Sequence, residues 1–310
     1  MTLGDNSALP FGSAASPGQA RLVVALPGSE EHAAKLANRL DTDLVTPELR
    51  RFPDGEIYVR LPRVADHVVI CGSLYPSPAD RFLELAFIAA TARDLGAKRV
   101  GLVAPYLAFM RQDSQFHPGE GITAKYFARM VSSAVDWMVT VDPHLHRLHG
   151  LGGVYTIPTT VAHAAASIAA WVKSEISHPV LVGPDAESEQ WVAAVAAACG
   201  APYEILLKTR RGDRDVSVSA STRSWNGHTP VLIDDIVSTG KTLVEATRSL
   251  RSAGSVAPLC IAIHAVFADA VEHDLVSAGA SGIVTCNTIT HASNRICVAD
   301  SIAEAAKLYL

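Results

Sequence analysis

Apolar and polar positions along this chain alternate in blocks rather than singly. Short β-branched runs are each followed by an Ala- and Leu-rich amphipathic stretch, the pattern of a parallel α/β sheet. Leu22–Leu26 is the first run. Pro27-Gly28 turns the chain, and Ser29 is placed to cap a helix that carries Glu30 and Glu31 in its first turn. Val68–Cys71 reads as a second strand, followed by a helix from about Ala79 to Leu95 that Gly96 stops, then strands at Arg99–Ala104 and Trp137–Val141. The pattern restarts with Val180–Val182, a helix near Ser188–Cys199, strands at Glu204–Leu207 and Val231–Asp234, and a helix near Thr242–Ala253. Ile261–Val266 and Ile283–Thr285 complete the strands. The chain thus divides into a flexible tail at 1–19, an α/β domain at 20–156 and a second at 157–290. Residues 291–310 are a candidate to return to the first domain. Two such halves place a cleft between them, at the carboxyl ends of their strands.

Composition narrows the class. In 310 residues, 49% are hydrophobic and 18% charged, which excludes a mainly disordered chain. Aromatics make up only 6%, so the core is built from Ala, Val, Leu and Ile. A net charge of −5 argues against nucleic acid as a partner. The Ala-rich stretches near Val161–Val172 and Trp191–Ala201 are interrupted or too short for a membrane span, and no signal peptide opens the chain. Five scattered cysteines, without a CxxC pair, fit a cytoplasmic protein with reduced thiols.

The sharpest chemistry lies in Val231-Leu-Ile-Asp-Asp-Ile-Val-Ser-Thr-Gly-Lys-Thr242. An apolar strand runs into two carboxylates, Asp234 and Asp235. Ser238, Thr239, Gly240, Lys241 and Thr242 then lead into a helix. The amides and positive dipole of that helix start suit an anion. Thr242 and Glu245 also fit a capping box, so a well-capped helix after a buried strand is the plainer reading. A Walker A loop is excluded, because the glycine it needs five positions before Gly240 is Asp235. Carboxylates beside a phosphate loop suit a sugar phosphate, with the ribose hydroxyls held directly or through a divalent cation.

Four further groups of residues stand in order along the chain. They are Arg51-Phe-Pro-Asp-Gly-Glu56; Arg111-Gln-Asp113 with Gly121–Lys125 after it; Val141-Asp-Pro-His144; and Val182-Gly-Pro-Asp185 followed by Lys208-Thr-Arg210. Alone, the first reads as an ordinary Pro-Asp-Gly turn and the last as a solvated charged hairpin. Together with the phosphate loop they resemble the ribose-phosphate pyrophosphokinase family, in its shorter archaeal and bacterial branch. The loop by itself resembles type I phosphoribosyltransferases equally well. Ser238 stands where the commonest loop has a third acidic residue, and Ser114 where a basic residue is common.

The resemblance implies two phosphoribosyltransferase-type domains, each a parallel sheet flanked by helices. It implies transfer of the β,γ-diphosphoryl group of ATP to the anomeric hydroxyl of ribose 5-phosphate. Phe52, Asp54, Gly55, Glu56, Arg111, Gln112 and Asp113 are then expected on ATP, and Asp234, Asp235 and Ser238–Thr242 on ribose 5-phosphate. His144 and Asp185 are expected on Mg2+, and Lys208 and Arg210 on the group in transfer. A homo-oligomer that shares its ATP site between subunits also follows. The residue types fit these roles: Arg111 can fork onto phosphate oxygens, and Phe52 offers a stacking face. The rivals are a phosphoribosyltransferase and a catalytically silent regulatory homologue. A zinc site at His144, His146 and His149 is disfavoured, because Asp142 and Asp185 suit a hard cation.

Overall fold

The computed structural model describes residues 21–145, 150–206, 225–267 and 269–310, with the backbone of 208–210 and 216–218. The sequence folds into two six-stranded parallel sheets, each interrupted once by a two-stranded insertion.

The first half runs β1 (Arg21–Ala25), α1 (Glu30–Arg39), β2 (Asp43–Val45), the antiparallel hairpin β3 (Glu48–Arg51) and β4 (Ile57–Arg60), then β5 (His67–Cys71), α2 (Pro78–Asp94), β6 (Arg99–Ala104), α3 (Thr123–Ala134), β7 (Trp137–Val141) and β8 (Thr159–Ala162). Its sheet order is β2-β1-β5-β6-β7-β8. After α4 (Ala165–Glu175) the plan repeats. The second half runs β9 (Pro179–Gly183), α5 (Glu189–Cys199), β10 (Tyr203–Ile205), the antiparallel ribbon β11 (Lys208–Arg210) and β12 (Val216–Val218), β13 (Thr229–Val237), α6 (Lys241–Ser252), β14 (Leu259–Ala265), α7 (Asp269–Ser277), β15 (Gly282–Cys286), β16 (Asn294–Ile296) and α8 (Ala299–Lys307). Its order, β10-β9-β13-β14-β15-β16, matches the first sheet position for position. The insertion follows the second strand in both halves.

Burial on both faces explains the near-continuous apolar strands. Val68–Cys71, Trp137–Val141 and Val180–Val182 are buried throughout. One apolar cluster passes from Val23, Leu36 and Val139 through Ile168 and Val172 to Leu181, Val192 and Ile302, so the two sheets share a core.

Thr159–Ala162 pairs in parallel with β7 and forms an edge of the first sheet. Two capping expectations need correction. Ser29 does not cap α1 with its side chain; its Oγ instead accepts the Ser73 N–H at 3.2 Å. The capping box of Thr242 and Glu245 does not form: α6 follows Gly240 without a side-chain cap, and Glu245 pairs with Arg248 at 2.7 Å. The end of the chain lies against the first sheet. Tyr309 stacks on Trp137 with ring centroids 4.8 Å apart, and its carbonyl accepts from Arg99 at 2.8 Å. No described helix is long and apolar enough to cross a membrane.

A cavity of about 320 Å3 lies between α1 and the 287–297 segment, lined by His32, Lys35, Asn287, Arg295 and Cys297 among others. His32 is only 6% exposed, and among the described residues its ring nitrogens make no well-formed hydrogen bond, the Asn287 backbone being the polar group that acts on them. Burial pushes this imidazole down to about 4. The folded group therefore stays neutral while the unfolded one, titrating near 6.5, takes a proton. The stability this gives is whole above about pH 6.5 and is lost as pH falls toward 4, a total of about 3 kcal/mol. Between about pH 6.5 and 4 the unfolding free energy of the wild type should fall by about this amount more than that of His32→Asn; parallel curves would contradict it.

Candidate active site

The chemistry collects where the carboxyl ends of the two sheets face each other. β13 does not stop at its first carboxylate: it continues to Val237, so Asp234 and Asp235 lie inside the strand and point to opposite faces. Asp235 is buried. Its Oδ1 accepts the Ile236 N–H at 2.7 Å, and its Oδ2 lies 2.6 Å from Nδ1 of His144, just past β7 of the other half. Burial opposes ionisation of Asp235, but the hydrogen bond and charge of His144, with His264 behind, hold its carboxyl below the usual range. Asp234 is the reverse case. Burial, then the neighbouring carboxylates of Asp235 and Asp185, push it well above that range.

The loop after β13 is shaped by Gly240, whose φ of +70° lies in the left-handed region. A Cβ there would sit 2.5 Å from Cγ1 of Val271, so both conformation and space demand glycine. With no side chain capping α6, its first amides stay available to an anion. Arg111 reaches this loop from the first half, its Nη1 donating to Ser238 Oγ at 3.3 Å. The site therefore joins a glycine-turned loop and a carboxylate pair from one half with a guanidinium and an imidazole from the other.

Residues 22–134 match the model of the N-terminal domain of ribose phosphate pyrophosphokinase, and residues 154–300 match that of the phosphoribosyl transferase domain. The chain belongs to the ribose-phosphate pyrophosphokinase family. It is 33% identical to the ribose-phosphate pyrophosphokinase of Methanopyrus kandleri over 274 residues, covering 87% of this chain and 93% of that one. It is 35% identical over 268 residues to that of Saccharolobus solfataricus, covering 84% and 90%. The crystal structure of phosphoribosylpyrophosphate synthetase from Mycobacterium smegmatis has the same fold, with a TM-score of 0.78 at 24% identity over 93% of this chain and 98% of that one.

In this member of the pyrophosphokinase family the other expected residues fall in three places. Gln112 and Asp113 follow Arg111 at the cleft, where the Gln112 carbonyl accepts the Ala124 N–H at 3.2 Å and Asp113 is buried. Asp185 follows β9, beside β13, and its Oδ1 accepts the Glu187 N–H at 3.1 Å. His144 is thus joined to Asp235, while Asp185 acts electrostatically on Asp234. Lys208 and Arg210 form β11, whose partner β12 lies against α6. His146 and His149 lie outside the described residues, and no three described His, Cys, Asp or Glu side chains form a metal cage.

Phe52–Glu56 caps the β3–β4 hairpin. The Phe52 N–H donates to the Glu56 carbonyl at 2.8 Å, and the Glu56 N–H donates to Asp54 Oδ1 at 3.1 Å. The Arg50 guanidinium lies over the rings of Phe52 and Tyr58, 4.8 and 4.1 Å from their centroids. The hairpin is tied to α2 through Arg51 and Asp80 at 3.1 Å. Among the described residues, its tip makes no hydrogen bond or ion pair with the cleft.

One carboxylate read as metal-directed has another task. Asp142 accepts the Ala164 N–H at 2.8 Å through Oδ2 and meets His163 Nδ1 at 2.7 Å through Oδ1, so it holds the start of α4. His264, buried in β14 beside this network, was not singled out by motif. Its signal was a lone imidazole in the apolar run Ile261-Ala-Ile-His-Ala265.

Proposed function

We propose that this chain is a ribose-phosphate diphosphokinase, converting ATP and ribose 5-phosphate to phosphoribosyl pyrophosphate and AMP. The observation that carries this reading is the meeting of two sets of groups across one cleft. The loop and carboxylates of the second half suit a sugar phosphate, and Arg111 and His144 of the first half are added to them. A phosphoribosyltransferase would need only the first set.

In the proposed reaction Ser238, Thr239, Gly240, Lys241 and Thr242 hold the 5-phosphate, and Asp234 and Asp235 orient the ribose hydroxyls. Arg111, Gln112 and Asp113 position the triphosphate. The anomeric hydroxyl gives up its proton to solvent as its oxygen attacks the β-phosphorus in line, the bond from that phosphorus to the α–β bridging oxygen breaks, and AMP leaves. Such a step needs aligned oxygens and compensated charge, with no covalent enzyme intermediate. Lys208 and Arg210, on a ribbon lying against α6, supply cations to the group in transfer.

The donor set fits Mg2+, a hard cation that takes carboxylate oxygen and keeps several waters. The carboxylates of Asp235 and Asp185 raise the cost of ionising Asp234, which a hard cation would offset. Asp185, Asp234 and the His144–Asp235 pair would hold it, directly or through water. Bound there, it would neutralise phosphoryl oxygens.

The adenine end is read as shared between subunits. Among the described residues, the hairpin tip bearing Phe52, Asp54, Gly55 and Glu56 makes its hydrogen bonds and ring contacts within the hairpin and not with its own cleft. Beside the hairpin, Leu83 and Phe87 of α2 and Tyr126 and Met130 of α3 are 44–46% exposed at four-residue spacing, an apolar face suited to a second copy. Active enzyme should therefore elute from a sizing column as an oligomer; an active monomer would contradict the shared site.

Purified protein with ATP, Mg2+ and ribose 5-phosphate should form AMP and phosphoribosyl pyrophosphate in equal amounts, dependent on both substrates. ADP as product would overturn diphosphoryl transfer, and binding without turnover would point to a silent homologue. Lys208→Ala should lower turnover at least about 100-fold, the loss of roughly 3 kcal/mol of transition-state stabilisation, with little change in ribose 5-phosphate binding. Near-normal turnover would remove Lys208 from the mechanism.

A further inference from the structure

His144 reaches Asp235 from a turn whose shape is not favoured locally. Asp142 has a φ of +30° and precedes Pro143. A non-glycine residue with positive φ is costly, and a following proline restricts the backbone further. Such a conformation persists only where its surroundings hold it.

Asp142 is held from two sides. Its carboxylate is fixed within the first half by the Ala164 N–H and by His163. Its carbonyl oxygen is held from the second half, by Nε2 of His264 at 3.1 Å. A carbonyl only accepts, so Nε2 carries the proton. The other nitrogen, Nδ1, then accepts; Oγ1 of Thr288 lies 2.9 Å from it and 2.8 Å from the Ile263 carbonyl, so its one proton is shared between the two. His264 and Thr288 are each 1% exposed, so water does not substitute for these contacts. The edge of the Tyr106 ring, with centroids 5.2 Å apart, fixes the imidazole from the first half.

We propose that His264 is a positioning residue that holds the Asp142 carbonyl across the seam between the two halves and thereby sets His144 against Asp235. Thr288 is its orienting partner. The chain of contacts runs from Thr288 through His264 and the Asp142 peptide to His144 and Asp235. It lets the imidazole of one half take its working position only when the other half is docked. The inference uses the diphosphokinase reading for its kinetic consequence, while its structural consequence stands apart from any activity.

The experiment compares His264→Leu, His264→Gln and Thr288→Val with the wild type. The glutamine amide can still donate to a carbonyl, and valine matches threonine in shape without its hydroxyl. The first readout needs no substrate. The Nδ1–H proton of His144, in a short bond to a carboxylate, should give a low-field resonance, assigned by its absence in His144→Ala. It is expected to be lost in His264→Leu, kept in His264→Gln and broadened in Thr288→Val, with all three variants melting cooperatively. The second readout is kinetic. His264→Leu should lose about 10- to 100-fold in kcat, the usual cost of an outer-shell partner. Its affinity for ribose 5-phosphate by calorimetry should stay within about threefold, since the phosphate loop is untouched. His264→Gln should recover most of the lost kcat. A folded His264→Leu that keeps both the resonance and its turnover would overturn the proposal, as would a loss shared equally by the leucine and glutamine variants. A wild type that shows the resonance and makes no AMP would refute the diphosphokinase reading alone.

Discussion

The bond between His144 Nδ1 and Asp235 Oδ2, at 2.6 Å, ties the reactive side chains of one half of the chain to those of the other. It also decides which carboxylate of the adjacent pair is charged, because the imidazole offsets the burial of Asp235 and leaves the cost of burial to Asp234. Two neighbouring carboxyl groups with opposed tendencies can do different work: one holds charge, and the other can keep a proton until a partner arrives. The site exists because a strand end of one sheet and the turn after β7 of the other are held face to face by the shared core beneath them.

The same six-strand order occurs twice, with the insertion after the second strand each time. The chemistry is not repeated. In the second half, the strand after the insertion carries Asp234, Asp235 and the glycine-turned loop. In the first half, its counterpart β5 leads through Gly72 and Ser73 to a left-handed Ser77 before α2, with no acidic residue. The two insertions differ as well: β3–β4 presents an aromatic and acidic tip, and β11–β12 carries Lys208 and Arg210. In the proposed function, a duplicated frame thus serves unlike substrates, with the nucleotide assigned to residues of one half and the ribose phosphate to residues of the other.

Much of this was legible in the sequence. Strands buried on both faces announce themselves as apolar runs, and Leu22–Leu26, Val68–Cys71, Arg99–Ala104 and Trp137–Val141 all form within a residue or so of their expected ends. The segments at Arg111, His144, Asp185 and Asp234 were recognisable by their residue patterns; His144 and Asp185 stand just past β7 and β9, Asp234 inside β13 and Arg111 in the loop between β6 and α3. What stayed hidden depends on partners distant in sequence. Thr159–Ala162 has no strong apolar run and becomes a strand only by adding to β7. Ser29 and Thr242 satisfy a local capping pattern, yet Ser73 claims one and the glycine entry to α6 displaces the other. Asp142 looks like a cation ligand until His163 and the Ala164 N–H are seen to occupy its oxygens. His264 shows its purpose only beside Asp142, a residue 122 positions away.

Coupling across the two halves makes the site, and a double-mutant cycle on His144 and Asp235 measures it. The quantity is kcat/KM for His144→Ala, Asp235→Asn and the double variant, each checked for cooperative unfolding. Groups in direct contact typically couple by about 0.5–3 kcal/mol, so the double variant should be less impaired than the two single losses combined. Strict additivity would mean that the imidazole and the carboxylate act independently, and would contradict the account.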